Sequence, residues 1–236
     1  MTQLTELQFY ATPEHDCSYI SKLKAKTLFI DPKTNIDQIV YTQLSELGFR
    51  RSGTHIYRPH CDDCQSCISI RVAGNAFKMS NSQRRVFNKN KDLIVTKVSA
   101  QFTDEYYALY EKYINERHQD GDMHPPSEEQ FKSFLVESKQ NSSFIEFRLP
   151  TDELIAVANI DILEKSLSAV YTFFDPSLTK RSLGTFAILW QIVEVQRSGL
   201  DYLYLGYWVQ DCQKMKYKTD FRPMELLING KWLPAT

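Results

Sequence analysis

Three thiols and an imidazole stand within one short run, His60-Cys61-Asp62-Asp63-Cys64-Gln65-Ser66-Cys67. Sulfurs at a spacing of three can converge on one soft metal, and zinc or an iron–sulfur cluster would take four ligands. Cys17 is the natural fourth, with His15 and His60 in reserve, so Cys17, Cys61, Cys64 and Cys67 form the candidate metal set. The same run also reads as unliganded thiols, because a zinc ribbon offers two tight pairs and here there is one cluster. Cys212 stands apart and reads as a packed thiol.

Four further stretches could carry chemistry. Ser80-Asn81-Ser82-Gln83-Arg84-Arg85, followed by Asn88-Lys89-Asn90-Lys91, reads as a basic loop whose planar guanidinium groups suit a carboxylate or a phosphate. Asp175-Pro176 and Arg181-Ser182-Leu183-Gly184 join a strand to a helix N-terminus, where free backbone N–H groups can receive an anion or a developing oxyanion. That Arg-x-x-Gly spacing resembles the pyrophosphate loop of acetyl-coenzyme A–dependent N-acetyltransferases, although a structural turn would look the same. In Leu203-Tyr204-Leu205-Gly206-Tyr207-Trp208-Val209, with Asp211, Lys214 and Lys218 beyond, Gly206 permits a bend and the aromatic rings can stack on bases. His118, beside Arg117 at a helix end, has the right ordinary pKa for acid–base work, but a lone histidine there is as readily structural.

The elements that must position these groups change character along the chain. Helical spacing of Ile36, Ile39, Val40, Leu44 and Leu47 predicts a helix over about 35–47, stopped by Gly48. A second is predicted over 104–119, and Ser127 with Gln130 forms a capping signature for a third. Strands are expected at 144–149, 154–163 and 167–174, a buried helix at 183–197, and a strand at 202–205. Asn229-Gly230 suits a type I′ hairpin turn between 224–228 and 231–232. This pattern predicts an α+β fold, with an N-terminal Cys-containing subdomain over 1–100 and a mixed sheet with flanking helices over 101–236.

Composition excludes some classes. The 236 residues are 42% hydrophobic and 24% charged with a formal net charge of −1, so any polyanion-binding surface must be local. Residues 48–97 hold ten Lys/Arg against three Asp/Glu, whereas residues 98–130 hold two against eight. Such opposed patches fit a polyanion on one side, and equally two solvated faces. No apolar run is long enough to cross a bilayer, no secretory signal is evident, and five cysteines fit a reducing compartment. A cytoplasmic protein with no membrane partner is expected.

The motifs taken in order resemble one family along essentially the whole chain. Tyr10 with Pro13-Glu14-His15-Asp16-Cys17-Ser18-Tyr19, Lys26-Thr27-Leu28-Phe29 and Gly48-Phe49-Arg50-Arg51-Ser52-Gly53 are similar to the arginyl-tRNA–protein transferases. So are Tyr57-Arg58-Pro59-His60-Cys61-x-x-Cys64-x-x-Cys67, Ser82-Gln83-Arg84-Arg85, Arg117-His118 and Tyr204-Leu205-Gly206-Tyr207-Trp208-Val209 with Met215-x-Tyr217-Lys218. Within the family the set resembles the bacterial aspartate/glutamate leucyltransferases.

The resemblance implies an N-acetyltransferase-like sheet domain, leucyl-tRNA as donor, and acceptor proteins that begin with Asp or Glu. The product would carry an N-terminal leucine and enter N-end-rule degradation. An arginyl donor stays open. Relatives carry zinc or an iron–sulfur cluster at the cysteine region, but the transfer itself requires no cofactor. The donor ester is already activated, and an α-amine of pKa roughly 7.7–8.0 is partly nucleophilic near neutrality. Alignment of the two reactants can supply an effective molarity on the order of 10⁵–10⁸ M. Backbone N–H groups near Gly184 are expected to hold the oxyanion, assisted by Tyr207 and by Asp211 or His118 as catalytic groups. Arg58, Arg84 or Arg85 is expected to meet the acidic acceptor. Arg117, Asp175, Arg181, Gly206, Trp208 and Lys218 complete the expected substrate-binding set. Two rivals remain: an acyl-coenzyme A–dependent N-acetyltransferase, and a zinc-dependent RNA-binding adaptor without enzymatic activity.

Overall fold

In the computed structural model, which describes residues 3–235, the elements follow chain order as β1 (Phe9–Ala11), β2 (His15–Asp16), β3 (Lys24–Ala25), β4 (Thr27–Ile30), α1 (Gln38–Glu46), β5 (Arg50–Ser52), β6 (His55–Pro59) and β7 (Ile68–Ala73). Next come α2 (Asn81–Lys89), β8 (Ile94–Ser99), α3 (Asp104–Arg117), α4 (Glu128–Phe131, continuing as a π turn Lys132–Val136), β9 (Ser142–Arg148), β10 (Leu154–Ile162) and β11 (Ser166–Phe174). The chain then forms α5 (Leu183–Arg197), β12 (Tyr202–Trp208), a 3₁₀ segment Gln213–Asp220, β13 (Met224–Ile228) and β14 (Lys231–Ala235).

Eight strands form one mixed sheet in the order β14-β13-β7-β12-β11-β10-β9-β8. Its one parallel pair is β11 with β12, joined through α5; every other pairing is antiparallel. β10 is buried along nearly its whole length, as a strand covered on both faces must be. On one face Ala156, Ala158 and Ile160 pack with α5, whose Phe186, Leu189 and Ile192 are buried. On the other face Val157, Phe144 and Phe173 lie under Tyr106, Tyr110 and Phe131 of α3 and α4. A third cluster joins Val40, Tyr41 and Leu44 of α1 to Ile30, Ile56 and Tyr204. The expected mixed α+β fold with a large sheet and flanking helices is therefore the one observed.

Local signals account for the ends of these elements. Thr103 caps α3 by accepting from Tyr106 N at 3.2 Å, and Ser127 caps α4 through Gln130 N at 3.1 Å. Asn229 (φ 51°) and Gly230 (φ 73°) take the two left-handed positions of the β13–β14 hairpin, as a type I′ turn requires.

Three differences bear on the site. The stretch read as a basic loop is helix α2: Ser80 Oγ accepts from Gln83 N at 3.3 Å, and Gln83 Oε1 accepts from Ser80 N at 2.9 Å. The N-terminal half contributes strands the sequence did not announce, a four-stranded sheet in the order β1-β4-β6-β5 and, in β7 and β8, two members of the large sheet. The division expected near Gln101 thus falls between β8 and α3, beside a sheet built from both halves. Lastly, β12 runs to Trp208 and not only to Leu205.

Candidate active site

β11 and β12 pair over only three positions, Ser166 with Tyr202, Leu167 with Leu203 and Ser168 with Tyr204. Both strands continue, to Phe174 and Trp208, but the ladder between them stops. At this point β12 bulges against β7 between Tyr204 and Gly206, and Gly206 has φ +81°. Strands that part in this way leave a cleft lined by backbone groups without ladder partners.

Arg50, from β5, fills the head of the cleft. Its Nη1 donates to Ser168 Oγ at 2.9 Å and its Nη2 donates to the carbonyl oxygen of Ala169. Gly206 supplies the left-handed backbone, and Arg50 lies directly against it, its Nε 3.4 Å from where a Cβ would stand. Lys218 enters from the 3₁₀ segment and donates from Nζ to the carbonyl of Tyr207 at 2.7 Å. Desolvation, reinforced by the charge of Arg50 and opposed by Cys212, pulls its ammonium down to about 7.

Tyr207 faces the other way. Its buried hydroxyl donates to the carbonyl of Gly48 at 2.7 Å and lies 3.3 Å from that of Tyr57. Burial, then Tyr57, pushes this phenol well above its ordinary pKa. Its hydroxyl is engaged with the Gly48 and Tyr57 carbonyls and pins β12 to the N-terminal half. Asp211 is exposed in the turn after β12. His118 caps α3 and is half-buried, with Nε2 3.0 Å from Tyr113 Oη; burial, then Lys214 and Arg117, hold its pKa below the usual value.

Several expected substrate-binding residues are engaged in holding the fold. Arg181 forks onto Asp92 at 3.0 and 2.8 Å and also donates to Asn90, tying the start of α5 to the end of α2. Asp175 takes Lys112 at 2.8 Å and accepts from Ser177 N at 2.9 Å. Burial pushes its carboxyl up, but the bonds from Lys112 and Ser177 outweigh this and leave it below the ordinary range. Arg117 lies 5.7 Å from the centroid of Phe174. Gly184 sits in the first turn of α5, where a Cβ would crowd the Phe174 ring at 3.2 Å. Trp208 ends β12, partly buried against the α5 core.

Two cavities are bordered by neighbours of Gly206 and Lys218, Tyr207 in one and Tyr217 in the other. One of about 550 Å³ is lined by Tyr207, Tyr57, Gly48 and Arg58 together with all four candidate cysteines. Arg58 donates to the Leu47 carbonyl at 3.3 Å and lies 5.0 Å from the Phe49 centroid. The other, of about 490 Å³, is lined by Ser80, Gln83, Thr185, Tyr217 and Arg222. Arg84 and Arg85 are exposed on α2 beside it. Tyr217, which also lines this second cavity, immediately precedes Lys218 in the chain.

The cysteines face one cavity but do not make a ligand set as they stand. Burial, then Cys17, Cys61, Cys64 and Cys212, push the Cys67 thiol up to about 12. Cys61 and Cys64 spend their S–H groups on the Lys26 carbonyl and on Ser66 Oγ, at 3.8 and 3.4 Å. Among the described residues, no three His, Cys, Asp or Glu side chains converge as a metal requires. The donor types suit zinc or iron–sulfur, but their positions do not form a ligand set for either.

Arg50 is the residue that sequence reasoning passed over. Its signal was the doublet Arg50-Arg51 inside the family-like stretch, and nothing local separates the two. Lys218 was expected to bind substrate, and the structure hangs it on the carbonyl of Tyr207, the residue after Gly206, against which Arg50 lies.

The chain matches the arginine-tRNA–protein transferase family over its N-terminal part at residues 15–85 and its C-terminal part at residues 105–228. It is 53% identical over 233 residues to an aspartate/glutamate leucyltransferase of Pseudomonas fluorescens, covering 99% of both chains. It is also 53% identical to one of Marinobacter nauticus, covering 98% of both, and 54% identical to one of Stutzerimonas stutzeri, covering 99% of both. Solved structures give weaker likenesses. FemX matches with a TM-score of 0.45 at 8% identity, covering 89% of this chain and 82% of that one. A GCN5-related glucosamine N-acetyltransferase region of a fungal β-N-acetylglucosaminidase matches with a TM-score of 0.41 at 11% identity, covering 82% and 21%.

The chain is an enzyme of the aminoacyltransferase class. It belongs to the arginine-tRNA–protein transferase family.

Proposed function

We propose that this enzyme moves leucine from leucyl-tRNA to the N-terminal Asp or Glu of an acceptor protein, in the cleft where β11 and β12 part. The end-to-end likeness to aspartate/glutamate leucyltransferases carries this reading and favours leucine over arginine as donor. Two separate cavities, one bordered by Tyr207 at the end of β12 and one by Tyr217 beside Lys218, give room for two macromolecular substrates. The cavity beside α2, bordered by exposed Arg84 and Arg85, suits the phosphates near the tRNA 3′ end. The cavity bordered by Tyr207 and Arg58 is open to an acceptor chain.

In the transfer, the acceptor's α-amine nitrogen attacks the ester carbonyl carbon. A C–N bond forms, the C–O bond to the terminal ribose breaks, and the ribose oxygen ends with the proton that the amine gives up. Alignment of two activated reactants supplies the acceleration, so no covalent enzyme intermediate, metal or cofactor is needed for this step. The product begins with leucine, a mark suited to an N-end-rule degradation pathway, and reliance on charged tRNA suits a cytoplasmic protein. Among the described residues no helix is long and apolar enough to cross a membrane.

The deciding experiment mixes the purified chain with radiolabelled leucyl-tRNA or arginyl-tRNA and peptides beginning Asp, Glu, Asn or Ala. Leucine should pass to the Asp and Glu peptides alone, and ribonuclease should abolish transfer. Absence of transfer from either tRNA, with acetylation supported by an acyl-coenzyme A instead, overturns the reading.

A further inference from the structure

Two cations, Arg50 and Lys218, sit at the cleft, and no salt bridge among the described residues answers either of them. Their partners are all neutral: Ser168 Oγ and the Ala169 carbonyl for Arg50, the Tyr207 carbonyl for Lys218. Both side chains are partly withdrawn from water. Lys218 Nζ hangs on the carbonyl of Tyr207, next to Gly206, where a Cβ would stand 3.4 Å from Arg50 Nε. Two like charges sharing one end of a strand gap lose hydration, which a purely structural site would relieve with a carboxylate. Elsewhere the fold does so: Arg71 has Glu225, Arg148 has Glu105 and Glu146, and Arg181 has Asp92.

Donor capacity remains for an anion. Arg50 has five N–H groups and spends two; Lys218 has three and spends one. Gly206 keeps the approach to the guanidinium free of a side chain. The planar fork of an arginine beside a mobile ammonium matches a carboxylate, the lysine stem adjusting to side chains of different length.

We infer that Arg50 and Lys218 together form the receptor for the side-chain carboxylate of the acceptor's N-terminal residue. This rests on the leucyl-transfer reading and names the groups that would make that site select acidic termini. A tRNA phosphate is the other anion at hand. It fits the exposed Arg84 and Arg85 of α2 better than a recess at the head of a strand gap, because the nucleic-acid backbone stays hydrated and is met by surface cations. Discrimination comes from leaving partly withdrawn charged donors without a countercharge when an uncharged isostere enters. An Asn terminus offers the same shape without the charge.

The test compares kcat/KM for leucine transfer to peptides that differ only in an Asp or Asn terminus. Wild type, Lys218→Met, Lys218→Arg and Arg50→Lys are measured, each with a thermal melt as a folding control. Loss of a hydrogen bond to a charged group predicts that the Asp-over-Asn ratio falls roughly tenfold or more in Lys218→Met. It should be retained in large part in Lys218→Arg and reduced in Arg50→Lys, which loses the fork. KM for leucyl-tRNA should be unmoved in Lys218→Met. A ratio that stays at the wild-type value while both peptides slow equally, or a raised KM for leucyl-tRNA, overturns the receptor and points to a phosphate-binding role. Fluorescence anisotropy of the labelled peptides reads the same preference without transfer. If wild type transfers no leucine yet binds the Asp peptide over the Asn peptide through Lys218, the receptor stands and the transferase reading falls. Absence of any binding preference in wild type overturns the receptor.

Discussion

Arg50 and Arg51 are adjacent on β5, and the molecule uses them in opposite ways. Arg51 is almost sealed from solvent, with 1% of its side chain exposed, and pairs with Asp161, which is 0% exposed, at 2.8 Å. Its remaining donors meet Asn159, Ser142 and the Gly53 carbonyl, and Asp161 also accepts from Tyr41 Oη at 2.6 Å. Every charge there is answered. Arg50, one residue earlier, meets only neutral oxygens and has Lys218 for company. The contrast gives a physical criterion for separating structural cations from functional ones: a withdrawn charge with a matching countercharge holds the fold, whereas one left unanswered awaits a ligand.

The largest expected effect lies on the answered side. Asp161→Ala strips the countercharge from a guanidinium that cannot reach water, which costs about 3–5 kcal/mol. For a chain of this size that corresponds to a melting temperature lower by roughly 6–20 °C. Replacing both partners by apolar residues, Arg51→Met with Asp161→Leu, should recover much of the loss, since the penalty arises from the orphaned charge. A melting curve for Asp161→Ala that overlays the wild type would break the comparison at its root.

The same contrast explains what the sequence could and could not reveal. α5 was legible from Leu183 to Arg197 because Phe186, Leu189 and Ile192 repeat at helical spacing within a single segment. β9, β10 and β11 were legible from their long apolar runs. β5 and β6 were not, being three and five residues long, rich in Arg and His, and paired with β4 and with each other. α2 was hidden because its exposed face is Asn, Ser, Arg and Lys, so only the Ser80–Gln83 cap marked it. Of the site, the Gly206-Tyr207 segment and Lys218 could be singled out by residue type. The Arg50–Arg51 distinction could not, because Asp161, which makes one of them structural, lies 110 residues from Arg51. Likewise Arg181 looked available until Asp92, 89 residues away, proved to occupy it. Charge compensation is a long-range property of the fold.

An intermediate effect sharpens the unanswered side through pH. The groups facing Lys218 are Arg50 from β5, the carbonyl of Tyr207, and Cys212 on its own segment. With its folded pKa lowered to about 7 from 10.5, the unfolded chain binds more protons than the native one between those values. Stability from this group therefore rises with pH across that window. The receptor's positive charge, by contrast, is lost as pH rises through about 7 in the free enzyme. The Asp-over-Asn ratio in kcat/KM cancels the titration of the acceptor amine, which both peptides share. It should fall from pH 6.5 toward pH 9 in wild type, by up to about tenfold per pH unit at its steepest, and be flat in Lys218→Arg. A flat wild-type profile would leave Arg50 as the sole charge that reads the acceptor.

The smallest effects test the criterion at the surface, where water weakens every pair. Arg181 is answered by Asp92, whose side chain is 42% exposed, so Arg181→Ala should lower stability by only about 0.2–1 kcal/mol. Leucyl-tRNA binding should keep its affinity in that variant, since a paired guanidinium that fastens α5 to α2 contributes no free charge. Arg84 and Arg85 sit exposed on that same α2 and should behave in the opposite sense. Arg84→Ala with Arg85→Ala should leave the melting temperature near wild type but make tRNA binding less salt-dependent. The slope of log K against log salt should become shallower by about 0.7–0.9 for each phosphate that is no longer neutralised. Titrations of tRNA at several salt concentrations decide the matter. If Arg181→Ala shifts the salt slope and the α2 double variant does not, pairing has failed to sort surface cations, and the criterion holds only where burial makes an unanswered charge expensive.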